Sequence, residues 1–478
     1  MAAPTIESAF EAALSGGKIK GAILCAYDTS DSFIYECALG ERTLLSGETR
    51  PLQFNDILCL ASISKLFTTI ALLQCVQDGL VTLTEDISHL IPELAANQVL
   101  PDGPGSDGGD GGSHLEPVTT PITLQMLLTH THGQPYHFLV PRIAEWKAKH
   151  SSQSTTSTTD TAGGSGIPAF FSYPLAFQPS TSWLYGTGHD WASLLLQRLT
   201  HAHAHEGTEK RGRGRGLGEH VRQRICIPLQ IPPQDAQFYP VRGEEARSRL
   251  VNLTPDDPDA VGRAVFGGNM ENPNRLAANL QSTLQDTTTT TENIEIANNA
   301  EHAENTKGVN VEGEGNFDFG GHGLFSTPSA VSAILRSLLR NDEQILNKKM
   351  VEAMFRDYIS GSEAETNFFS LMNSPAGMFF RMGVNSNVKV GYGLGALLTL
   401  EDSPEEYGYG KGTLTWGGAA SMIWFVDRKK GVCGFVAIQL VPALPVDMAL
   451  LTELKGVFRS DVYRKFAAWK EGRGERVS

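Results

Sequence analysis

Apolar residues recur through positions 61–78 with the 3.6-residue rhythm of a helix that buries one face. The repeating positions are Ile63, Leu66, Phe67, Ile70 and Leu73. Gly79 is a helix-stop signal directly after them. The pattern therefore predicts a helix that begins near Ser62 and lies at the centre of the fold.

Runs of apolar and β-branched residues bounded by turn residues predict strands near both ends of the chain. The runs are 21–27 and 33–38 at one end and 392–400, 412–415, 421–426 and 432–441 at the other. Only short turns separate the later runs, so we expect them to be antiparallel neighbours. Amphipathic patterns over residues 6–14 and 446–469 predict a helix at each end of the chain.

This order of elements predicts an α+β fold, an α/β sandwich whose antiparallel sheet is flanked by terminal helices and carries an inserted helical region. We expect one domain over residues 1–474. Its sheet part is expected from about 1–60 and 320–470, and its helical part from about 61–319. Four stretches lack the apolar residues needed for packing and are expected to be disordered insertions. They are residues 102–113, 151–166, 201–217 and 281–315.

The charge of the chain argues against two classes of partner. With 39 basic and 53 acidic residues the formal charge is −14, so neither nucleic-acid phosphates nor an anionic membrane surface is expected to attract it. No basic segment followed by an apolar core opens the sequence, and no apolar run reaches the roughly 18 residues of a membrane span. We expect no nucleic-acid partner and no membrane partner.

The cysteines are dispersed and lie among apolar neighbours, which is typical of reduced core thiols. They are Cys25, Cys37, Cys59, Cys75, Cys226 and Cys433. With no secretory signal beside them, they predict a cytoplasmic protein. His130 and His132 are two positions apart, a spacing that points helical side chains in different directions, so we expect no metal ion there. We also expect no cofactor.

A candidate nucleophile stands at the predicted helix start. Ser62 and Lys65 are three residues apart, so a helix would place a hydroxyl and an amine on one face. The same Ser-x-x-Lys pattern occurs at residues 15–18 and 386–389, but glycines and polar residues replace the apolar helical pattern there. For Ser62 the local sequence leaves two interpretations open, an activated nucleophile or an N-cap serine followed by a surface lysine.

Three motifs, in this order, resemble those of one enzyme family. Ser-Ile-Ser-Lys at 62–65, Tyr-Gly-Thr at 185–187 and Trp-Gly-Gly at 416–418 resemble the three motifs of the serine β-lactamase and penicillin-binding-protein superfamily. Within it, residues 183–192 and the third motif look most like fungal class C-like esterases and lovastatin-type acyltransferases. Thr187 and Trp416 replace an asparagine and a lysine of the β-lactamases, which argues against antibiotic hydrolysis.

The resemblance implies that Ser62 is the nucleophile and that Lys65 or Tyr185 takes its proton. To act as the base, Lys65 needs its pKa lowered from about 10.4 to roughly 7, which corresponds to about 4.6 kcal/mol and which burial can supply. Alternatively a charged Lys65 stabilises a tyrosinate at Tyr185, and the tyrosine is the base. Both assignments remain open at the level of sequence.

The resemblance also assigns the third motif to the oxyanion of the tetrahedral intermediate. Its donors are implied to be the backbone N–H groups of Ser62 and Ala419. Gly417 and Gly418, which follow Trp416, allow a strand edge to approach the substrate closely. Aromatic residues near the motifs are predicted to line an apolar substrate site. These are Tyr136, Trp183 and Trp191.

The function implied by the resemblance is acyl transfer through a Ser62 acyl-enzyme, from a thioester or ester donor to a small alcohol of polyketide-type secondary metabolism. The donor thioester is either free or attached to a carrier protein. One alternative is an esterase of the same family, for which water is the acceptor. A second alternative is a binding protein without catalysis, and the joint presence of Ser62, Lys65 and Tyr185 argues against it.

Overall fold

The structure, a computed structural model, describes residues 4–44, 46–101, 115–151, 167–204, 216–238, 243–251, 318–418, 421–440 and 447–473. Ala419 lies outside these residues, as do the insertions predicted at 102–113 and 281–315. The insertion predicted over 151–166 also lies outside them, apart from Ser151, which ends a helix.

The insertion predicted over residues 201–217 is wrong at both of its ends. The helix Gly188–Ala204 continues into it, because the leucines upstream are already buried and anchor the last turn. At the other end Leu217, only 1% exposed, begins a new helix. Residues 205–215, between these two helices, lie outside the described part of the chain.

The described strands form two antiparallel sheets. In chain order they are β1 (Ile19–Asp28), β2 (Ile34–Thr43), β3 (Thr49–Pro51), β4 (Leu58–Cys59), β5 (Ala236–Gln237), β6 (Phe325–Ser326), β7 (Val390–Tyr392), β8 (Leu397–Thr399), β9 (Leu414–Gly418), β10 (Met422–Asp427) and β11 (Val432–Leu440). The main sheet has the order β3-β2-β1-β11-β10-β9-β8-β7, and the small one the order β4-β6-β5. Because β1 pairs with β11, the two ends of the chain meet at the centre of the main sheet.

The burial of the strands follows their place in the sheet. Almost every residue of β1, β10 and β11 is buried, whereas β2 alternates between exposed and half-buried residues over most of its length. Residues directly opposite each other in antiparallel strands share a face. Trp416, Trp424 and Phe435 therefore lie on one face, and Phe425 lies on the other.

Helices cover both faces of the main sheet. In chain order they are α1 (Ile6–Ser15), α2 (Ser64–Gln77), α3 (Pro92–Ala95), α4 (Leu124–Thr129), α5 (Pro141–Ser151), α6 (Ile167–Phe170), α7 (Gly188–Ala204), α8 (Leu217–Val221), α9 (Glu244–Arg249), α10 (Pro328–Arg340), α11 (Lys348–Met354), α12 (Glu365–Met372), α13 (Gly377–Phe380) and α14 (Met448–Gly472). Tyr463 of α14 stacks on Phe425, and α1 packs on α14. On the opposite face, Ser332 of α10 contacts Cys25. The predicted mixture of antiparallel sheet and flanking terminal helices is confirmed.

Helix α2 is buried on all sides rather than along one stripe. From Ser64 to Cys75 each of its residues is buried, because α7 and α8 pack around it. Its polar side chains find partners inside the protein. The Thr68 hydroxyl donates to the Gly320 carbonyl oxygen at 2.7 Å, and Gln74 donates to a backbone carbonyl at 2.7 Å. These hydrogen bonds offset the cost of burying hydroxyl and amide groups.

Two local predictions are wrong. Residues 392–400 form parts of two strands, β7 and β8, that pair around Gly395, whose φ of +80° favours glycine and breaks the apolar run. The sequence also predicts a helix start over residues 83–87, where a threonine precedes two acidic residues. No helix forms there, and Asp86 instead pairs with Thr123 in an isolated antiparallel bridge.

Candidate active site

Ser62 lies in a 3₁₀ turn, Ala61–Ile63, directly before α2. Ala61 has a φ of +46°, in the left-handed region that costs a residue with a Cβ roughly 1–2 kcal/mol. The Ser64 hydroxyl holds the turn by donating to the Ala61 carbonyl oxygen at 2.6 Å. Backbone strain of this kind persists only where the surrounding structure imposes it, and it is frequent at functional sites.

The Ser62 hydroxyl lies next to two of the predicted catalytic side chains. The Tyr185 hydroxyl donates to Ser62 Oγ at 2.5 Å, and Lys65 Nζ lies 3.5 Å from the same oxygen. Ser62 is 9% exposed, Tyr185 5% and Lys65 0%. The Ser62 side chain thus lies at the edge of the solvent-accessible surface, and the two candidate bases are more deeply buried.

Lys65 is held by three oxygen atoms. Besides its contact with Ser62, its Nζ donates to the Gly321 carbonyl oxygen at 2.7 Å and to the Tyr136 hydroxyl at 3.2 Å. Burial lowers the pKa of Lys65 to about 7, although the Asp190 carboxylate opposes the shift. A neutral amine is therefore accessible near neutral pH, as a proton acceptor requires.

Tyr185 is held in place by a hydrogen bond from the backbone of its neighbour and by aromatic contacts. The N–H of the next residue, Gly186, donates to His130 Nδ1 at 3.2 Å, and the His130 and Tyr185 rings are 4.7 Å apart. The Trp416 ring lies 5.3 Å from the Tyr185 ring. Burial raises the pKa of Tyr185, and the hydrogen bond to Ser62 offsets only part of that rise. Burial thus disfavours a free tyrosinate at Tyr185, whereas it favours the neutral amine of Lys65.

Asp190 is a buried carboxylate behind Lys65, and sequence reasoning missed it. It is 0% exposed, accepts from the Gly321 N–H at 2.8 Å and from the Tyr136 hydroxyl at 3.1 Å, and lies 3.4 Å from His322 Nδ1. Burial works to raise the pKa of Asp190, but His322, Lys65 and the Gly321 N–H outweigh it, so the pKa lies below its usual range. The available signal was an acidic residue inside an otherwise buried helix start.

The third motif lies against the nucleophile turn. A Cβ on Gly418 would come within 2.5 Å of the Leu60 carbonyl oxygen, and one on Gly417 within 2.6 Å of the Met422 carbonyl oxygen. Glycine is therefore required for β9 to end this close to the turn that carries Ser62. Ala419, the expected second oxyanion donor, lies outside the described residues.

The predicted substrate-binding aromatic residues do not lie where the sequence placed them. Trp183 is 0% exposed and packs edge-on against Phe368, and Trp191 is 1% exposed and donates to Gln134 Oε1 at 2.7 Å. Both indoles belong to the core that supports the motifs, because their apolar bulk is fully enclosed. Tyr136 reaches the site, but its hydroxyl contacts Lys65 and Asp190 instead of facing a substrate cleft.

Neither a metal centre nor a membrane span occurs among the described residues. There, no group of three or more His, Cys, Asp and Glu side chains is arranged to hold a metal ion. Within the same ranges no helix combines the length and the apolar character needed to cross a bilayer.

Comparison with known proteins gives the family. The family model described as Beta-lactamase matches residues 6–454. This chain belongs to the beta-lactamase family. It is 44% identical over 466 residues to a protein of Penicillium rubens named lovastatin esterase. The match covers 97% of this chain and 99% of that relative. It is 30% identical over 440 residues to monacolin J acid methylbutanoyltransferase of Aspergillus terreus, covering 91% of this chain and 90% of the relative.

Solved structures agree with this placement in the beta-lactamase family. Unliganded simvastatin synthase (LovD) from Aspergillus terreus matches with a TM-score of 0.73 at 27% identity, over 97% of this chain and 98% of that one. EstCE1, described as a hydrolase with promiscuous acyltransferase activity, shares the fold at a TM-score of 0.59 and 15% identity, covering 95% and 97% of the two chains. The predicted β-lactamase/transpeptidase-like fold is confirmed, and so is the predicted enzyme class of acyltransferases and esterases.

Proposed function

We propose that Ser62 takes an acyl group from an ester or thioester of polyketide-type secondary metabolism and passes it to water or to the hydroxyl of an alcohol. The contact that carries the proposal is the 2.5 Å hydrogen bond from Tyr185 to Ser62 Oγ, with Lys65 Nζ at 3.5 Å from the same oxygen. A nucleophile and a proton acceptor within reach of it are what an acyl-enzyme mechanism needs. The names of the relatives, which mention lovastatin and monacolin J acid, supply the substrate class.

In acylation, Ser62 Oγ attacks the carbonyl carbon of the ester while its proton passes to Lys65, directly or through Tyr185. The tetrahedral intermediate then collapses, the bond from carbon to the leaving oxygen or sulfur breaks, and the leaving group takes up the proton. In deacylation the acceptor oxygen attacks the acyl carbon while its proton passes to Lys65, directly or through Tyr185. The bond from the acyl carbon to Ser62 Oγ then breaks, and Ser62 Oγ takes up the proton. The end of β9 is proposed to stabilise the oxyanion together with the Ser62 N–H.

Two acceptors fit this mechanism. Water is the acceptor we place first, because identity is 44% to a lovastatin esterase and 30% to a methylbutanoyltransferase, each over more than nine-tenths of this chain. Transfer to an alcohol is the second candidate. The near-complete match to LovD, with a TM-score of 0.73, favours it.

The fate of the acyl group tests the proposal. The enzyme is incubated with lovastatin alone, and separately with an acyl thioester in the presence and absence of monacolin J acid. Intact mass follows the Ser62 adduct, and chromatography follows the free acid and the new ester. Free acid formed at a rate independent of the alcohol supports the esterase, and a new ester that outpaces free acid supports the transferase. If no adduct forms and no substrate is turned over, the proposal fails.

We further propose that the protein acts in the cytoplasm, as one domain over residues 1–474, and that a thioester donor is either free or bound to a carrier protein. One observation supports the cytoplasmic compartment, and another supports the single domain. No disulfide joins any of the six cysteines, all of which lie among the described residues, and this suits a reducing compartment. The pairing of β1 with β11 joins both ends of the chain in one sheet.

A further inference from the structure

The residues around Lys65 form a chain of hydrogen bonds that leads away from Ser62. Lys65 Nζ donates to the Tyr136 hydroxyl at 3.2 Å, and that hydroxyl donates to Asp190 Oδ2 at 3.1 Å. The other Asp190 oxygen accepts from the Gly321 N–H at 2.8 Å, and the Gly321 carbonyl oxygen accepts from Lys65 at 2.7 Å. Lys65 and Asp190 are therefore joined by two separate bridges.

The space between these groups is closed to other side chains. A Cβ on Gly321 would lie 2.4 Å from Asp190 Oδ2 and 2.7 Å from the Tyr136 hydroxyl. Glycine at this position lets backbone and carboxylate meet. Thr187, which follows Tyr185 by two residues, is turned elsewhere, since its hydroxyl donates to Gln134 Oε1 at 2.7 Å.

We propose that Asp190, acting through Tyr136 and Gly321, is the positioning residue that holds Lys65 and sets the pH range in which Ser62 becomes nucleophilic. The inference rests on the Ser62 acyl-enzyme of the proposed function. Asp190 touches neither Ser62 nor the reacting atoms in this network, so its effect is exerted on the charge and the orientation of Lys65.

The surroundings of Lys65 decide the direction of the effect. The groups that face it are Ser62 on its own turn, Tyr136 and His130 after α4, Tyr185 before α7, His189 and Asp190 within α7, and His322 beside Asp190. Burial lowers the pKa of His130 and of His189, and the charge of Lys65 lowers both further, so these rings are neutral. Asp190 is thus the negative charge in this set that stabilises the Lys65 ammonium.

Replacing Asp190 by asparagine removes that charge and keeps the shape of the side chain. The pKa of Lys65 should then fall, by about 1–3 units, the usual effect of one close opposite charge. If neutral Lys65 is the base, the acid limb of the pH profile moves to lower pH by this amount. If charged Lys65 must support a Tyr185 tyrosinate, the alkaline limb moves to lower pH instead. Either shift supports the proposal, and the limb that moves identifies the base.

The experiment measures the rate at which a fluorophosphonate labels Ser62, from pH 4 to pH 10, in the wild-type protein and in Asp190→Asn. This probe needs no knowledge of the natural substrate. Tyr136→Phe is the second variant. It keeps the carboxylate and removes one acceptor of Lys65, so the same limb should move in the same direction by a smaller amount.

Asp427→Asn is the matched control. Asp427 is also 0% exposed and also accepts from a tyrosine hydroxyl, Tyr463, at 2.7 Å and from a glycine N–H, Gly410, at 2.8 Å. It lies at the end of β10 against α14, away from Lys65, so its loss should lower stability and leave the labelling profile in place.

The outcomes are distinct. If the wild-type protein is labelled at Ser62 and both limbs of Asp190→Asn coincide with the wild type, Asp190 is only structural and the inference is overturned. If Asp190→Asn does not fold, unmoved limbs in Tyr136→Phe overturn it in the same way. If the wild-type protein is not labelled at Ser62, the proposed function fails, and the inference that rests on it falls too.

Discussion

The same four-residue pattern, Ser-x-x-Lys, occupies three places in this protein, and only one of them is buried. Ser62 and Lys65 are 9% and 0% exposed at the start of α2. Residues 386–389 begin and end with exposed side chains in a loop between α13 and β7. Residues 15–18 do so as well, from the last residue of α1 into the turn before β1. The serine and the lysine are therefore equally spaced in all three copies, although one copy is buried and the other two are exposed.

The difference in burial shows what would allow the lysine of this pattern to activate the serine. An ammonium group in water stays charged at neutral pH and cannot accept a proton from a serine. Burial lowers the pKa of Lys65 to about 7, while the Gly321 carbonyl oxygen and the Tyr136 hydroxyl accept hydrogen bonds from its Nζ and hold it beside Ser62. Burial also places the Tyr185 hydroxyl on Ser62 Oγ. Neither of the exposed serines has Tyr185 as a partner.

The largest expected effect comes from removing the buried serine. Ser62→Ala should abolish both turnover and fluorophosphonate labelling, because Ser62 is the serine that lies against both Lys65 and Tyr185. Ser386→Ala and Ser15→Ala, which remove the exposed copies, should leave both unchanged. Intact mass after labelling measures the result, and an adduct that persists in Ser62→Ala would show that the nucleophile lies elsewhere.

The next effect comes from the buried bases. Lys65→Ala or Tyr185→Phe should slow Ser62 labelling by roughly 10²- to 10⁴-fold, the usual cost of a lost general base. Lys389→Ala and Lys18→Ala are the matched exposed controls and should keep the wild-type rate. Rate constants for labelling at fixed pH, with circular dichroism to verify folding, check this. Equal rates in Lys65→Ala and Lys389→Ala would remove Lys65 from the mechanism.

A smaller effect is expected where packing, not chemistry, sets the surroundings of Ser62. In Gly418→Ala the new Cβ would meet the Leu60 carbonyl oxygen at 2.5 Å, so β9 must move from the nucleophile turn. We expect a loss of about 1–3 kcal/mol in the free energy of unfolding and about 10- to 100-fold slower labelling.

Gly456→Ala is the control for that change. Gly456 lies inside α14, where a Cβ would meet none of the described residues outside its own helix backbone within 4 Å. Alanine should therefore stabilise the helix by about 0.5–1 kcal/mol and leave labelling unchanged. Urea denaturation of the two variants gives the comparison. Equal stability changes in both would show that the approach of β9 to Leu60 is not a packing constraint.

Much of the fold was predictable because the patterns that define it are local. Strands β1 and β2, the terminal helices and the last strands all follow runs that alternate or repeat with the expected period. The errors occurred where a single glycine, Gly395, divides one run into two strands, and where α7 continues beyond its apolar residues to Ala204.

The amino-acid sequence alone was enough to recognise the family, the order of the three motifs and the candidates Ser62, Lys65 and Tyr185, since each motif consists of adjacent or closely spaced residues. The surroundings of these residues depend on how the chain packs in three dimensions. Tyr136 and Gly321 reach Lys65 from 71 and 256 positions away, and the two tryptophans placed at the cleft are in the core. No spacing rule connects such distant residues. The packing of α2 against α7 buries a lysine beside a carboxylate, and burial is what lowers the pKa of that lysine.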